Sequence, residues 1–502
     1  MTPGLRQLRR VRLAFDHDLT LGTLLERLAD ADPDRVLVDE IGGDRRTVAQ
    51  AAEAVDRWSG AIAARTSPGD VVVVATPNGY DQFLLCLAVS RAGALPAPVN
   101  DRMRDEEIDH VVADAGALLV LRSADDLPAG DRLGAAHLTS ASDVGAVFYT
   151  SGTTGRPKGA ELTHHGILGG INVAALLPAG LRDDEAVVGL PMAHIMGFVA
   201  AAGLACAGIP VRSLPRFDAE LALDQIEARR ASVFVGVPAM YRMLLDAGAE
   251  ERDLSSIRLW ISGADAMPAE LSERFARMGA LADLPGVGTV GWAVFAEGYG
   301  LVETAGGAAV RIALPFLPAS LSRLGVPLPG YKTRVLGDDG RPVRRGEGGE
   351  LHLSGPGGLK GYRGDAKATA GVLTDDGWLR TGDLVRRRAF GLFTFEGRAK
   401  DIVVRGGYNV YVVEVEQALE RHPAVAEAAV VGLPDERLGE VPVAAVRLSP
   451  GRTAAPDEIR AWAKEQLSSY KVPVRVLVVD ALPTSGTRKI QRTEVKALFT
   501  DA

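Results

Sequence analysis

The sequence predicts an α/β fold: a large N-terminal domain of mixed and parallel sheets with helices, followed by a small α+β C-terminal domain. Three observations carry that expectation. Short β-branched runs alternate with helix-like stretches through the first half of the chain, the rhythm of strand–helix–strand units. Turn signals crowd together from Gly325, the texture of a β-rich subdomain. The final stretch returns to amphipathic helices and longer strands. The length, 502 residues, is a prior for about three compact units. With 47% apolar and 24% charged residues the composition is near the globular average, which excludes a disordered, collagen-like or coiled-coil chain.

Val71–Ala75, Val144–Thr150, Ala186–Leu190, Ser232–Val237 and Ile257–Ser262 are β-branched or aromatic runs of strand length. Between them Thr47–Ala64, Asp81–Ala92, Glu220–Arg230 and Ala269–Arg277 have helical patterning. From Gly325 come Asp338-Asp339-Gly340, Gly346-Glu347-Gly348-Gly349 and Asp375-Asp376-Gly377-Trp378, turn punctuation between short strands up to about Gly397. The expected domains are therefore 1–397, with the β-rich subdomain at 325–397, and 398–502. In the latter, Glu414–Arg421 and Pro456–Leu467 read as helices, and Ala424–Val431, Val441–Leu448 and Val474–Val479 as strands. No low-complexity linker joins the two, so the junction near Arg398–Asp401 is expected to be a tight hinge.

A net charge of −8 argues against a general nucleic-acid binder. Two cysteines, Cys86 and Cys206, lie far apart in apolar stretches, which is neither a disulfide framework nor a zinc ligand set and suits a reducing cytoplasm. The arginine-studded start has no apolar core of signal-peptide length. The uncharged run Ile195–Val211 falls short of the roughly 20 residues of a membrane span and reads as a buried helix and strand. No transmembrane segment is expected.

The strongest local signal is Tyr149-Thr-Ser-Gly-Thr-Thr-Gly-Arg-Pro-Lys-Gly159. A strand runs into a loop holding Thr150, Ser151, Gly152, Thr153, Thr154 and Gly155, and then meets Lys158. Glycines let backbone amides turn towards an anion, hydroxyls add donors, and an ammonium adds charge: physically, a phosphate cradle. The spacing is not that of the common NTPase loop, which requires Gly-x4-Gly-Lys-Ser/Thr. Arginine supplies almost every positive charge in this chain, and Lys158 is the first of only nine lysines among 56 basic residues. An ammonium is not interchangeable with a guanidinium, so a lysine inside such a loop is informative.

Further motifs follow in order: Tyr299-Gly-Leu-Val-Glu-Thr304, Thr381-Gly-Asp383, Gly397-Arg-Ala-Lys-Asp401, Arg405-Gly-Gly-Tyr-Asn409 and Lys489-Ile-Gln-Arg492. Together with the loop they resemble the adenylate-forming enzymes, specifically acyl-CoA synthetases, most closely the fatty acid–CoA ligases. The resemblance spans about Tyr149 to Arg492, and it implies the adenylate-forming fold with a small mobile C-terminal lid. It also implies the chemistry. A carboxylate attacks the α-phosphorus of ATP to give acyl-AMP and pyrophosphate, and coenzyme A then takes the acyl group and releases AMP.

The resemblance assigns roles residue by residue. The loop Thr150–Lys158 would hold the β- and γ-phosphates, and Glu303 would hold Mg2+. Gly263, Ala264 and Asp265 would pack on adenine, beside Tyr299, Gly300 and Thr304. Asp383, assisted by Arg398, would accept hydrogen bonds from the ribose. Lys489 would bridge carboxylate and α-phosphate, with Arg488 the competing cation. Lys400 would be the pivot of the lid, and Gly406 and Gly407 would face the pantetheine arm. His194, Val237, Ala239 and Arg258 are the candidate acid-binding residues, whereas Asp218 reads as structural. One departure stands out: Val302 occupies a position where the family usually has threonine, which leaves Thr304 as the neighbouring hydroxyl.

A fatty acid suits the apolar stretches Phe234–Pro238 and Ile195–Phe198. Two rivals remain in the class: a malonate-type ligase using Arg258 on a second carboxylate, and an enzyme loading an acyl carrier protein. Outside it stands a nucleotide-binding protein with decayed catalysis, supported only by Val302 and the Arg488-Lys489 pair.

Overall fold

A computed structural model of the chain describes residues 8–128, 131–150, 157–176, 184–284, 286–313, 325–484 and 489–500. They fall into two compact units. The first comprises Met1–Met240, Gly248–Lys332 and Leu353–Leu379; the second comprises Tyr241–Ala247, Thr333–His352 and Arg380–Ala502.

The first unit is built on a nine-stranded sheet. Its six central strands, in spatial order Val294–Tyr299, Leu259–Ser262, Val233–Gly236, Ala186–Val188, Val211–Ser213 and Val36–Glu40, are all parallel. Strands in a parallel sheet are covered on both faces, which is why Val233–Gly236 is buried at every residue and reads as an unbroken apolar run. Trp260 packs between Phe234 and Phe275, with ring centroids 5.8 and 5.0 Å away. Because the strands are parallel, their carboxyl ends share one edge. The segments after Val188, Gly236, Ser262 and Tyr299, which carry His194, Val237, Gly263 and Glu303, therefore leave the sheet on the same side, the edge where open α/β sheets bind ligands.

Two smaller sheets complete this unit. Val71–Val74 lies between Leu95–Pro98 and Ala117–Leu121, all parallel. Val144–Thr150 and Lys158–Thr163 form an antiparallel hairpin, extended by Gly361–Tyr362. The helix Val48–Ala63 starts with a capping box between Thr47 and Gln50. Ile195–Ala207 is a helix and Val211–Ser213 a strand, as the uncharged run predicts, and among the described residues no helix is long and apolar enough to cross a membrane. Cys86 and Cys206 are both fully buried, and burial pushes both thiols up, Cys206 to about 12.

His164, 2% exposed, accepts the Leu21 N–H at Nδ1, 3.2 Å away, and burial pulls its imidazole down to about 4. The unfolded chain, with an ordinary histidine, binds a proton near pH 6.5 that the folded chain refuses. This contribution to stability is therefore complete above pH 6.5 and is lost as the pH falls towards 4, on the order of 3 kcal/mol in all. Urea midpoints measured from pH 7 to 4.5 should fall steeply in the wild type and less steeply in His164→Gln.

The second unit carries two sheets. Lys332–Leu336, Gly348–Ser354, Leu379–Arg387 and Phe393–Arg398 form the first. The second has the order Tyr408–Tyr411, Ile402–Arg405, Gly439–Leu448, Val425–Asp435, and Arg475–Val479 also pairs with Gly439–Leu448. Period-two alternation explains how one sheet serves two cores. Val430, Ala444 and Val446 pack with Val415, Leu419 and Ile459 from the helices Val412–Glu420 and Pro456–Gln466. Their neighbours Ala429, Val431, Val443 and Ala445 pack with Val495 and Phe499 of the helix Arg492–Thr500. Asp383 and Arg398 are register partners on adjacent strands of the first of these sheets.

Candidate active site

The site residues divide between the two units. In the first, Thr150 and Lys158 face each other across the hairpin, which brings together both ends of the candidate phosphate loop. Ser151, Gly152, Thr153, Thr154 and Gly155 lie outside the described residues. Tyr149 anchors the strand before the loop: its hydroxyl donates to Asp114 Oδ2, 2.9 Å away. Lys158 Nζ stands 5.4 Å from the ring centroid of Tyr362, a cation–π distance.

Glu303 lies in the short 3₁₀ turn Val302–Thr304 that follows the strand Val294–Tyr299. Gly300 is required there by close approach, since a Cβ would stand 2.3 Å from the Gly306 carbonyl oxygen. The half-buried Glu303 carboxylate accepts a 2.5 Å hydrogen bond at Oε1 from the Tyr362 hydroxyl. Burial and the nearby carboxylate push that hydroxyl above the ordinary tyrosine range, so it stays protonated and donates. Among the described residues Oε2 has no hydrogen-bond partner. A carboxylate oxygen is a hard donor of the kind Mg2+ takes, so the residue fits the ion the resemblance implies.

Thr304 is a correction. It is 1% exposed, and its hydroxyl accepts the Leu301 N–H at 2.8 Å and donates to the Leu301 carbonyl at 3.1 Å. That hydroxyl closes the turn carrying Glu303 and does not stand in for the one missing at Val302.

The adenine-loop candidates follow the strand Leu259–Ser262. Ala264 adopts φ +66, a left-handed conformation that costs a non-glycine residue strain of about 1–3 kcal/mol and recurs at ligand-binding turns. Asp265 accepts the Ala266 N–H at 2.8 Å, which gives this aspartate a local role. Beyond it the half-buried Glu297 carboxylate accepts the Met267 N–H at 2.8 Å and pairs with Arg311, whose guanidinium donates to the Met267 carbonyl at 3.0 Å. Burial pushes Glu297 above the usual carboxylate range, and Arg311 partly offsets the shift.

Arg258 is a second correction. It precedes the strand Leu259–Ser262 and pairs with Asp184 at 3.2 Å, beside the start of Ala186–Val188. Both groups lie at the amino edge of the sheet, opposite the edge that carries Gly263 and Glu303, so Arg258 is not offered to an acid there. Val237, buried, and Ala239, half-buried, do lie at the carboxyl edge. His194 also lies on that side, where its Nδ1 accepts the Met196 N–H as a helix N-cap. Asp218 likewise caps a helix, accepting the Leu221 N–H at 2.9 Å, which agrees with its structural reading.

In the second unit Asp383, 1% exposed, is 3.1 Å from Arg398 Nε. Its own N–H donates to Thr381 Oγ1, which donates in turn to the Leu351 carbonyl, so a single threonine fixes this corner. Lys400 is exposed in the turn after Arg398. Gly406 and Gly407, at φ +57 and +83, form the tip of the hairpin joining Ile402–Arg405 to Tyr408–Tyr411, where two left-handed residues in succession call for glycine. Lys489, half-buried, lies beside a Thr484–Ile490 bridge; Arg488 is outside the described residues. Sequence reasoning missed the anchor of this segment. Arg492 donates to both oxygens of Glu416, at 2.5 and 3.2 Å, and to the Val430 carbonyl, and its Nε is 3.5 Å from Asp401.

Residues 25–363 match the AMP-binding enzyme family, and residues 414–489 match the AMP-binding enzyme C-terminal domain. The chain is 36% identical over 509 residues to a feruloyl-CoA synthase from Amycolatopsis sp, covering 95% of this chain and 99% of that protein. It is 31% identical over 503 residues to a 2-succinylbenzoate–CoA ligase from Geobacillus kaustophilus, covering 96% and 98%. Among solved structures, ATP-bound MatB from Rhodopseudomonas palustris superposes with a TM-score of 0.82 at 28% identity, covering 96% of this chain and 99% of that one. The chain belongs to the AMP-binding enzyme family and is an AMP-forming carboxylate–CoA ligase.

Proposed function

We propose that the acid is an apolar monocarboxylate, activated as its adenylate and passed to coenzyme A. One observation carries this reading: the arginine that a malonate-type substrate would need, Arg258, is tied to Asp184 at the opposite edge of the sheet. The segments at the ligand edge, around Val237 and Ile195–Phe198, are apolar. A fatty acid is the expectation from these stretches. Likeness to a feruloyl-CoA synthase moves the first choice to an acid bearing an aromatic ring.

In this reading Lys158 and the loop it closes hold the outer phosphates, and Asp383 with Arg398 holds the ribose. Glu303 would hold Mg2+, which when bound offsets phosphate charge. Lys489 supplies the cation between the attacking carboxylate and the α-phosphate, where charge crowds in the transition state. Lys400 is the hinge residue, and the Gly406-Gly407 turn gives the pantetheine arm room. Location in the cytoplasm accords with two unbridged cysteines.

ATP–pyrophosphate exchange across a panel of ferulate, straight-chain acids and malonate tests the substrate class. Each methylene buried in an apolar pocket contributes about 0.8 kcal/mol, so kcat/KM should rise with chain length or ring size until the pocket is full. Arg258→Ala should leave that order unchanged. Malonate as the best substrate, with the preference lost in Arg258→Ala, would overturn the reading.

A further inference from the structure

Lys158, read as a phosphate-binding residue, and Glu303, read as the Mg2+ residue, meet at Tyr362, which lies outside every sequence motif of the site. Tyr362 lies on the short strand Gly361–Tyr362, paired with Lys158–Thr163 so that Tyr362 is opposite Ala160. Side chains alternate along a strand, so Lys158 and Ala160 share a face, and the diagonal from Tyr362 to Lys158 is within reach of an aromatic ring. That register places the Lys158 ammonium 5.4 Å from the ring centroid. The same residue's hydroxyl donates to Glu303 Oε1 at 2.5 Å. The approach to the strand is fixed independently: the Leu359 N–H donates to the Glu303 carbonyl at 2.9 Å, and the Tyr362 N–H donates to Thr369 Oγ1 at 2.9 Å. Tyr362 is itself 8% exposed, so its ring has little freedom to leave.

We propose that Tyr362 is a positioning residue for the metal–nucleotide complex: its hydroxyl holds one oxygen of Glu303 so that the other is presented to the divalent cation, while its ring steadies the phosphate-binding Lys158. The proposal rests on the reading of Glu303 as the metal residue. A carboxylate free to rotate must be ordered when the ion binds, and a donor that occupies Oε1 removes much of that cost beforehand. The hydroxyl acts on the metal and the ring acts on the phosphates, so the two parts are separable by substitution.

The test uses the full-length enzyme and Mn2+ as the probe, with free Mn2+ followed by electron paramagnetic resonance in the presence of ATP. Tyr362→Phe should bind Mn2+ about tenfold more weakly, the loss expected for a hydrogen bond to a charged group. Its affinity for ATP in EDTA should stay within about twofold, because the ring under Lys158 is retained. Tyr362→Leu should weaken ATP binding in EDTA as well. Thermal midpoints close to wild type exclude a folding defect, which would instead lower every readout together. Glu303→Gln distinguishes the failures. Weakened Mn2+ binding in Glu303→Gln with unchanged binding in Tyr362→Phe overturns the positioning role alone. Unchanged binding in both removes the metal assignment and the proposal with it.

Discussion

Lys489→Ala is expected to slow acyl-AMP formation by about 10²–10³-fold, roughly 3–4 kcal/mol of transition-state stabilisation, while supplied acyl-AMP is still converted to thioester. The residue precedes Ile490, which bridges to Thr484, and the following Gln491 N–H donates to the Pro483 carbonyl at 2.9 Å. Truncation beyond Cβ leaves those backbone bonds intact, so the loss should fall on chemistry. Pyrophosphate exchange reads the first step, and thioester release from synthetic acyl-AMP reads the second. Equal loss of both would point to damage to the fold. A larger adenylation defect in Arg488→Ala would transfer the role to that neighbour.

Arg492→Ala should behave differently, because Arg492 is structural. Glu416 is 9% exposed, and it accepts from Arg492 at both oxygens and from the Val430 N–H at 2.8 Å. Removing one partner of a buried pair leaves an uncompensated charge, at about 3–5 kcal/mol. The urea midpoint of the second unit, read by Trp462 fluorescence, should fall accordingly, and adenylation should fall with it because Lys489 loses its anchor. Arg492→Met combined with Glu416→Gln removes both charges and should recover most of the stability. A double variant no more stable than Arg492→Ala would show that packing, not the charge pair, holds this corner.

Much of this architecture was legible in the chain. The runs Val71–Ala75, Val144–Thr150, Ala186–Leu190, Ser232–Val237 and Ile257–Ser262 each contain the strand observed, because β-branched runs covered on both faces carry a strong signal. The helix within Thr47–Ala64 was legible too. What local pattern could not show was which residues far apart in the chain come together. Arg258 was readable as a cation but not as the partner of Asp184. Tyr362 followed a glycine in a turn-rich stretch, with no periodicity to mark it, and its place beside Lys158 comes from a strand register with Lys158–Thr163. The hydroxyl of Thr304 was visible in the sequence, but its inward orientation depends on the Leu301 turn.

The burial of Cys86 and Cys206 has a practical side for an enzyme whose acceptor is itself a thiol. With both sulfurs fully enclosed and held as neutral thiols, the native protein offers no nucleophile to a CoA disulfide, so mixed disulfides with its own cosubstrate should not accumulate during turnover. Free CoA can therefore be titrated with an aromatic disulfide reagent in the presence of folded enzyme, without background from the protein. A single cysteine introduced on the surface would be the one site open to a spectroscopic label, and the slow appearance of two further reactive thiols would time the opening of the first unit.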